Sequence, residues 1–219
     1  MLFQNRTIAG QMLVEKLTNY TNRSDVIVLG LPRGGVPVAF EVAQALKAPL
    51  DVLVVRKLGV PEQEELAMGA IAVGGVRIIN QYIINSLKIS EEKIARVAAQ
   101  EERELERREH LYRGDRPFPD LQKRTVILVD DGLATGATMW AAVASVRRQH
   151  PARIIIAVPV AAPTTCRKLQ TRVDEILCVT TPEPFYSVGL WYKDFPQTTD
   201  AQVRELLDKA QINYQLLSR

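Results

Sequence analysis

The residues best placed to do chemistry lie in the stretch Val126-Ile-Leu-Val-Asp-Asp-Gly-Leu-Ala-Thr-Gly-Ala-Thr138. A continuous apolar run ends in two adjacent acids, Asp130 and Asp131. A loop of small and hydroxyl residues follows, and a helical pattern opens near Ala137. Such a loop turns backbone N–H groups and threonine hydroxyls toward one spot beside the positive end of a helix. That makes an anion site, and phosphate is the natural anion. Two carboxylates would repel that anion unless the ligand also brings hydroxyls or a metal, and a sugar phosphate meets this condition. Other phosphate-binding patterns fit less well. A Walker A loop needs a Lys where Gly136-Ala-Thr has none. A dinucleotide fingerprint needs Gly-x-Gly-x-x-Gly, which neither Gly132…Gly136 nor Gly30…Gly34-Gly35 supplies. A receiver domain also ends a strand in an acid pair, but near its start and without a Thr-Gly-x-Thr cradle.

Four further segments carry candidate groups. Gly30-Leu-Pro-Arg-Gly-Gly35 follows an apolar run and opens a helix, which sets backbone donors beside Arg33. Arg56-Lys57 closes the next apolar run; a basic pair at a strand end is commonly solvated. Residues 58–75 combine Pro61-Glu-Gln-Glu-Glu65 with the uncharged Met68-Gly-Ala-Ile-Ala-Val-Gly-Gly75. That composition suits a mobile lid or a β-ribbon, and both hold if 68–79 form the ribbon. Glu62, Glu64 and Glu65 on it are candidate general acids or bases. Residues 185–195 pack five of the thirteen aromatics into eleven positions: Phe185, Tyr186, Trp191, Tyr192 and Phe195. Aromatic faces suit a flat heterocycle. The competing reading is a small satellite core, with Trp191 and Phe195 buried against the last helix.

These groups need a frame. Apolar runs at 26–29, 52–55, 126–129, 154–160 and, more weakly, 176–179 suit strands buried on both faces. Helical patterns at 36–46, 137–148 and 164–171 alternate with them, which predicts an α/β doubly wound sheet with ligands at the C-terminal strand ends. Residues 76–124 break the alternation. An edge strand is expected at 76–80 and a helix from Ser90 to about Tyr112. Twelve of the nineteen residues from 91 to 109 are charged, with i,i+4 pairs Glu92/Arg96 and Glu104/Arg108. This helix is expected either to flank the core in solvent or to pack on a second subunit.

Composition limits the functional classes. The 219 residues carry 28 Lys and Arg against 25 Asp and Glu, too balanced for a nucleic-acid or acidic-membrane partner. No apolar stretch approaches the ~18 residues of a membrane span, and the first residues lack a signal-peptide pattern, so a cytoplasmic location is expected. Cys166 and Cys178 fit neither a disulfide framework nor a zinc spacing, and are expected to be reduced and in the core.

In its strand context, Asp-Asp-Gly-Leu-Ala-Thr-Gly-Ala-Thr resembles the phosphoribosyl-pyrophosphate (PRPP) loop of type I phosphoribosyltransferases. The resemblance covers most of the chain and is weakest at both ends and across 90–120. It implies an α/β fold with a doubly wound, mostly parallel sheet, helices on both faces and a small hood. A single domain over 1–219 is expected, with a helical insertion at about 81–120 and a hood at about 181–199. The implied reaction transfers a 5-phosphoribosyl group from PRPP to a nitrogenous base and releases pyrophosphate. Asp130 and Asp131 would hold the ribose hydroxyls, and Ala134, Thr135, Gly136, Ala137 and Thr138 would wrap the 5′-phosphate. Arg33, Gly34, Gly35, Arg56 and Lys57 would face pyrophosphate, with Asp130, Asp131, Arg33 and Lys57 as the catalytic set. Mg²⁺ would arrive on PRPP and meet Asp130 and Asp131 through water, with no direct protein ligand. Phe185, Tyr186 and Trp191 would contact the acceptor base.

Ala134 stands where 6-oxopurine members of the family place a carboxylate, as adenine-type members do, so a different proton carrier is implied. A homodimer is expected, and so is a strained or cis peptide within 31–35. The alternative is a PRPP-binding regulator without catalysis; the sequence shows no helix-turn-helix module to support it.

Overall fold

A computed structural model describes residues 2–217; the side chains of Glu64 and Glu65, two of the candidate acid/base groups, lie outside the described residues. The strands are β1 (Val26–Gly30), β2 (Leu50–Val52), β3 (Val55–Val60), β4 (Gln63–Ala72), β5 (Val76–Ile79), β6 (Thr125–Val129), β7 (Arg153–Val160) and β8 (Glu175–Thr180). The helices are α1 (Arg6–Val14), α2 (Gly35–Leu46), α3 (Gln81–Leu87), α4 (Glu91–Arg113), α5 (Ala137–Arg147), α6 (Pro163–Gln170) and α7 (Asp200–Leu217). Five strands form a parallel sheet in the order β2-β1-β6-β7-β8, and β3-β4-β5 form a separate antiparallel ribbon.

The apolar runs are continuous because the sheet is covered on both faces. Ile27, Leu29, Val126, Leu128, Ile154 and Ile156 point into one core with Met139, Val143 and Val146 of α5 and Leu169 of α6. Their neighbours Val26, Val28, Ile127, Val129 and Ile155 point into the opposite core, under α1 and α2. Fully burying each such side chain contributes roughly 1.5–3 kcal/mol, so a polar substitution in β1 or β6 would break both layers at once.

From β1 the chain crosses to β2 on one side of the sheet, and from β6 it crosses to β7 on the other. The C-terminal ends of β1 and β6 therefore meet at the point where the winding reverses, the usual place for a ligand in such sheets. In register, Gly30 lies opposite Val129. The turn after β1 and the acid pair after β6 thus begin side by side.

The expected strand at 52–55 divides in two. β2 stops at Val52, and β3 begins at Val55 in the ribbon, so Arg56 and Lys57 lie on the ribbon and not at a sheet-strand end. The run is apolar throughout because Leu53 is buried in the core under α5, while Val52, Val54 and Leu58 are buried under α4 and α7. The edge strand expected at 76–80 is β5, and it borders the ribbon, not the sheet.

The charged helix begins where Ser90 predicts, with the serine Oγ accepting from the Lys93 N–H. Its thin apolar stripe is buried within this chain: Ala98, Leu105 and Tyr112 pack with Val203 and Leu207 of α7. Charged residues cover the rest, including Glu104, whose carboxyl is lowered to about 2 by hydrogen bonds from Arg107 and Arg108. Arg113 fixes the far end to β2, bonding Asp51 at 2.9 Å, Glu109 at 3.0 Å and the Val52 carbonyl at 2.6 Å. Among the described residues, no helix is long and apolar enough to cross a membrane.

Candidate active site

Directly after β6 the backbone carries Asp130 and Asp131 into the switch-point crevice. The Asp131 N–H donates to Asp130 Oδ1 at 2.8 Å. Asp131 Oδ2 accepts from Arg6 Nε and Nη2, both at 2.9 Å. Each carboxylate thus has one oxygen tied to protein. Among the described residues, no side chain donates to Asp130 Oδ2 or Asp131 Oδ1. Burial, and then the Asp131 charge, pushes the Asp130 carboxyl well above the ordinary carboxylate range. Asp131 is also raised by burial, with Arg6 pulling it the other way.

The loop that follows is held from behind. The Leu133 N–H donates to the Val160 carbonyl, and the Ala162 N–H donates to the Leu133 carbonyl. Thr165 Oγ1 on α6 donates to the Ala134 carbonyl at 2.5 Å. Gly136 has φ +79°, the left-handed region that favours glycine, and a Cβ there would fall 2.5 Å from Thr165 Cγ2. No side chain caps the first turn of α5, so its amide groups face the crevice. Thr135, Ala137 and Thr138 are exposed, and the loop lines a hollow of about 160 Å³ together with Asp130 and Val188. The loop that the sequence marks as a candidate anion site thus lines this hollow and leads into the first turn of α5.

The turn after β1 closes the other side. The Pro32–Arg33 peptide is cis, as expected for 31–35. Gly34 and Gly35 let the turn press against the acids. A Cβ on Gly34 would lie 2.1 Å from Asp131 Oδ2, and one on Gly35 would lie 2.7 Å from the Val129 carbonyl oxygen. Gly34 and Gly35 are therefore brought to the acid pair, while the charge of Arg33 acts on Tyr112 of α4.

Arg56 and Lys57 lie on the ribbon. Arg56 Nε bonds Glu101 of α4 at 2.7 Å. Both basic residues line a hollow of about 450 Å³ between the ribbon and α4, shared with Glu62. Most of the 58–75 segment is built as the ribbon, with β3 and β4 in regular register from Val55/Ala72 to Leu58/Gly69 and shifted at Gly59 and Val60. A larger hollow of about 690 Å³ lies between β4, β5, α5 and α6, reaching Thr135 to Ala137 from the far side of the loop.

The aromatic segment divides. Phe3, Tyr192, Ala9 and Val160 form a small core, with Phe185, Trp191 and Phe195 packed against it. Trp191 and Phe195 thus bury against the segment ahead of α1, and not against the last helix. Tyr186 stands 79% exposed, the open aromatic of the group. The strand-like segment ahead of α1 pairs with the hood: the Phe3 N–H donates to the Trp191 carbonyl, and the Lys193 N–H donates to the Phe3 carbonyl. The Tyr192 hydroxyl donates to the Asp131 carbonyl at 2.6 Å, and burial raises its pKa.

Sequence reasoning missed Arg6, Thr165 and the hydroxyl of Tyr192. A lone arginine and a lone threonine far from the motif give no local signal; only Tyr192 lay in a segment already marked as unusual. Cys166 and Cys178 sit as free thiols with their sulfurs 3.9 Å apart, each half-buried at the margin of the core.

Comparison with known proteins agrees with this geometry. A curated Mycobacterium tuberculosis (strain ATCC 25618 / H37Rv) protein named "Putative phosphoribosyl transferase Rv0571c" is 44% identical over 209 residues, 95% of this chain and 47% of that protein. The chain thus spans about half the length of the curated relatives it matches. The crystal structure of TT1426 from Thermus thermophilus superposes with a TM-score of 0.82 at 40% identity, covering 95% of this chain and 99% of that one. The AQ2163 protein from Aquifex aeolicus shares the fold at 16% identity, with a TM-score of 0.52 over 92% of this chain and 85% of that one. Residues 2–190 match the phosphoribosyl transferase domain model, and the chain belongs to that family.

Proposed function

We propose that this chain transfers the 5-phosphoribosyl group of PRPP to a nitrogenous base and releases pyrophosphate. One observation carries the reading: two adjacent half-buried carboxylates, each with one oxygen that no side chain donates to among the described residues, open beside an uncapped helix start. Two vicinal hydroxyls and a phosphate satisfy that pattern together.

In this reading the ribose 2′- and 3′-hydroxyls donate to Asp130 Oδ2 and Asp131 Oδ1. The 5′-phosphate takes the amide groups from Ala134 to Thr138, with the Thr135 and Thr138 hydroxyls. The leaving pyrophosphate faces Arg33 and the amides of Gly34 and Gly35. The C1–O bond breaks through an oxocarbenium-like state, and the acid pair holds negative charge toward that carbon. Positioning and electrostatics supply most of the acceleration. Tyr186, open on the hood, offers a face to the acceptor. Mg²⁺ would arrive on PRPP, and the free oxygens of Asp130 and Asp131 could hold its water shell. Its chemistry there would be to neutralise the pyrophosphate.

The test is pyrophosphate release from PRPP and Mg²⁺ with a panel of nucleobases. Release with at least one base, abolished by Asp130→Asn, is the expected result. A silent panel with tight PRPP binding would favour a regulator, and the absence of both release and binding would sink the reading.

A further inference from the structure

Arg6 is spent on one arrangement. It opens α1, after the Asn5 cap whose Oδ1 accepts from the Ile8 N–H. Its guanidinium gives Nε and Nη2 to Asp131 Oδ2, gives Nη1 to the Pro196 carbonyl at 2.7 Å, and lies 3.8 Å above the centre of the Phe195 ring. Only 11% of the side chain is exposed, against 15% for Asp131. Three different fixings on one planar group leave it a single orientation, so little side-chain freedom remains to be lost when a ligand arrives.

The consequence falls on Asp131. A carboxylate at the end of a strand can turn about its terminal bond, and its second oxygen then has no defined direction. Asp130 is fixed by the Asp131 N–H on one oxygen. On Asp131 the side-chain donor is Arg6, which takes hold of Oδ2. The same guanidinium lies 3.3 Å from where a Cβ on Gly34 would sit, so it also fills the space between Asp131 and the turn after β1. Through Pro196 and Phe195 it is tied to the hood, and the hood is paired to the Phe3 segment just ahead of α1.

Building on the phosphoribosyl reading, we propose that Arg6 is the positioning residue that aims Asp131 at the ribose, so that α1 and the hood set the geometry of the sugar site. Arg6 does not touch the reacting atoms. It determines which oxygen of Asp131 is offered and where.

The experiment measures PRPP affinity with Mg²⁺ by calorimetry for wild type, Arg6→Met, Arg6→Lys, Asp131→Asn and the Arg6→Met/Asp131→Asn double variant, with thermal melts of each. Methionine keeps an apolar stem on Phe195 and removes every donor; lysine restores charge with one donor centre. Losing a hydrogen bond to a charged group corresponds to about 10- to 100-fold weaker binding, and that is expected for Arg6→Met. Arg6→Lys should fall between it and wild type. In the double variant, affinity should match Asp131→Asn within about 2-fold, because the two residues act as one unit. Arg6→Met binding like wild type, Arg6→Lys no better than Arg6→Met, or losses that multiply in the double variant would each overturn the proposal. A wild-type chain that binds no PRPP overturns the phosphoribosyl reading itself and the role of Arg6 with it. A wild type that binds, beside an Arg6→Met that binds equally, overturns Arg6 alone.

Discussion

Gly34→Ala separates the working of the site from the stability of the fold. Gly34 has φ −62° and ψ −31°, a conformation alanine adopts without strain. The added methyl would instead meet a side chain: Asp131 Oδ2 at 2.1 Å, Asp131 Cγ at 2.8 Å and Arg6 Nη2 at 3.3 Å. Cβ contacts do not go below 3.0 Å, so the carboxylate must retreat by roughly 1 Å, and a misplacement of that size costs about 10²-fold in rate, near 2.7 kcal/mol. The fold should lose far less. The carboxylate stands at the mouth of a crevice and can move, and replacing glycine restricts the unfolded chain by about 0.4–1 kcal/mol in favour of folding.

Steady-state pyrophosphate release and calorimetric PRPP affinity should therefore fall about 100-fold in Gly34→Ala, while the melting temperature moves by no more than about 4 °C, or about 1 kcal/mol for a chain of this size. Gly35→Ala is the contrast. Its methyl would lie 2.7 Å from the Val129 carbonyl oxygen and 2.8 Å from Asp130 Cα, which are backbone atoms. That variant should melt lower by about 1–3 kcal/mol. Wild-type PRPP affinity in Gly34→Ala would refute the claim that the turn after β1 and the acid pair share one ligand.

Three other perturbations test separate parts of the argument. Asp130→Asn/Asp131→Asn should abolish PRPP binding with the fold intact, read by calorimetry and circular dichroism. The same pair sets a pH trend. Both folded-state pKa values are raised, so the native state binds more protons than the unfolded one, and stability falls as pH rises from the ordinary carboxylate range through the raised values. The double variant should lose that slope and melt higher at neutral pH; an unchanged slope would place its origin elsewhere. Tyr186→Ala, at a residue 79% exposed, should raise the KM for the base, spare PRPP affinity and change stability by less than about 0.5 kcal/mol. Arg113→Ala leaves Asp51, Glu109 and the Val52 carbonyl without their buried donor, and urea melts should show a loss of about 3–5 kcal/mol; a loss under about 1 kcal/mol would mean α4 docks by its apolar stripe alone.

The acid pair, the loop after it and the Gly-rich turn could be read from sequence because each is contiguous. A strand, a turn and a helix start within thirteen residues fix where their side chains go, and local spacing suffices. The sheet was legible for a related reason: continuous apolar runs suit only strands covered on both faces. The ribbon was harder. Residues 52–55 are as apolar as a sheet strand, since Leu53 is buried in the core under α5 and Val52 and Val54 under α4 and α7. Periodicity records burial and does not say which layer provides it.

Arg56 shows the limit from the other side. As half of a basic pair after an apolar run it reads as an anion ligand, and only the path of α4 reveals Glu101 as its partner. Arg6 is the reverse case, an arginine with nothing around it in sequence that lands 125 positions away on Asp131. Both outcomes turn on which segment the fold brings opposite a flexible cation, and that is a property of two distant stretches at once. The hood follows the same logic. Its aromatics looked like a pocket or a core, and the choice rests on Phe3: because the segment ahead of α1 pairs with 191–194, most of the rings turn inward and Tyr186 is left facing out. Wherever a site is completed by side chains from separate elements, the motif marks where the ligand lies, while the long-range pairings determine how tightly its ligating atoms are held.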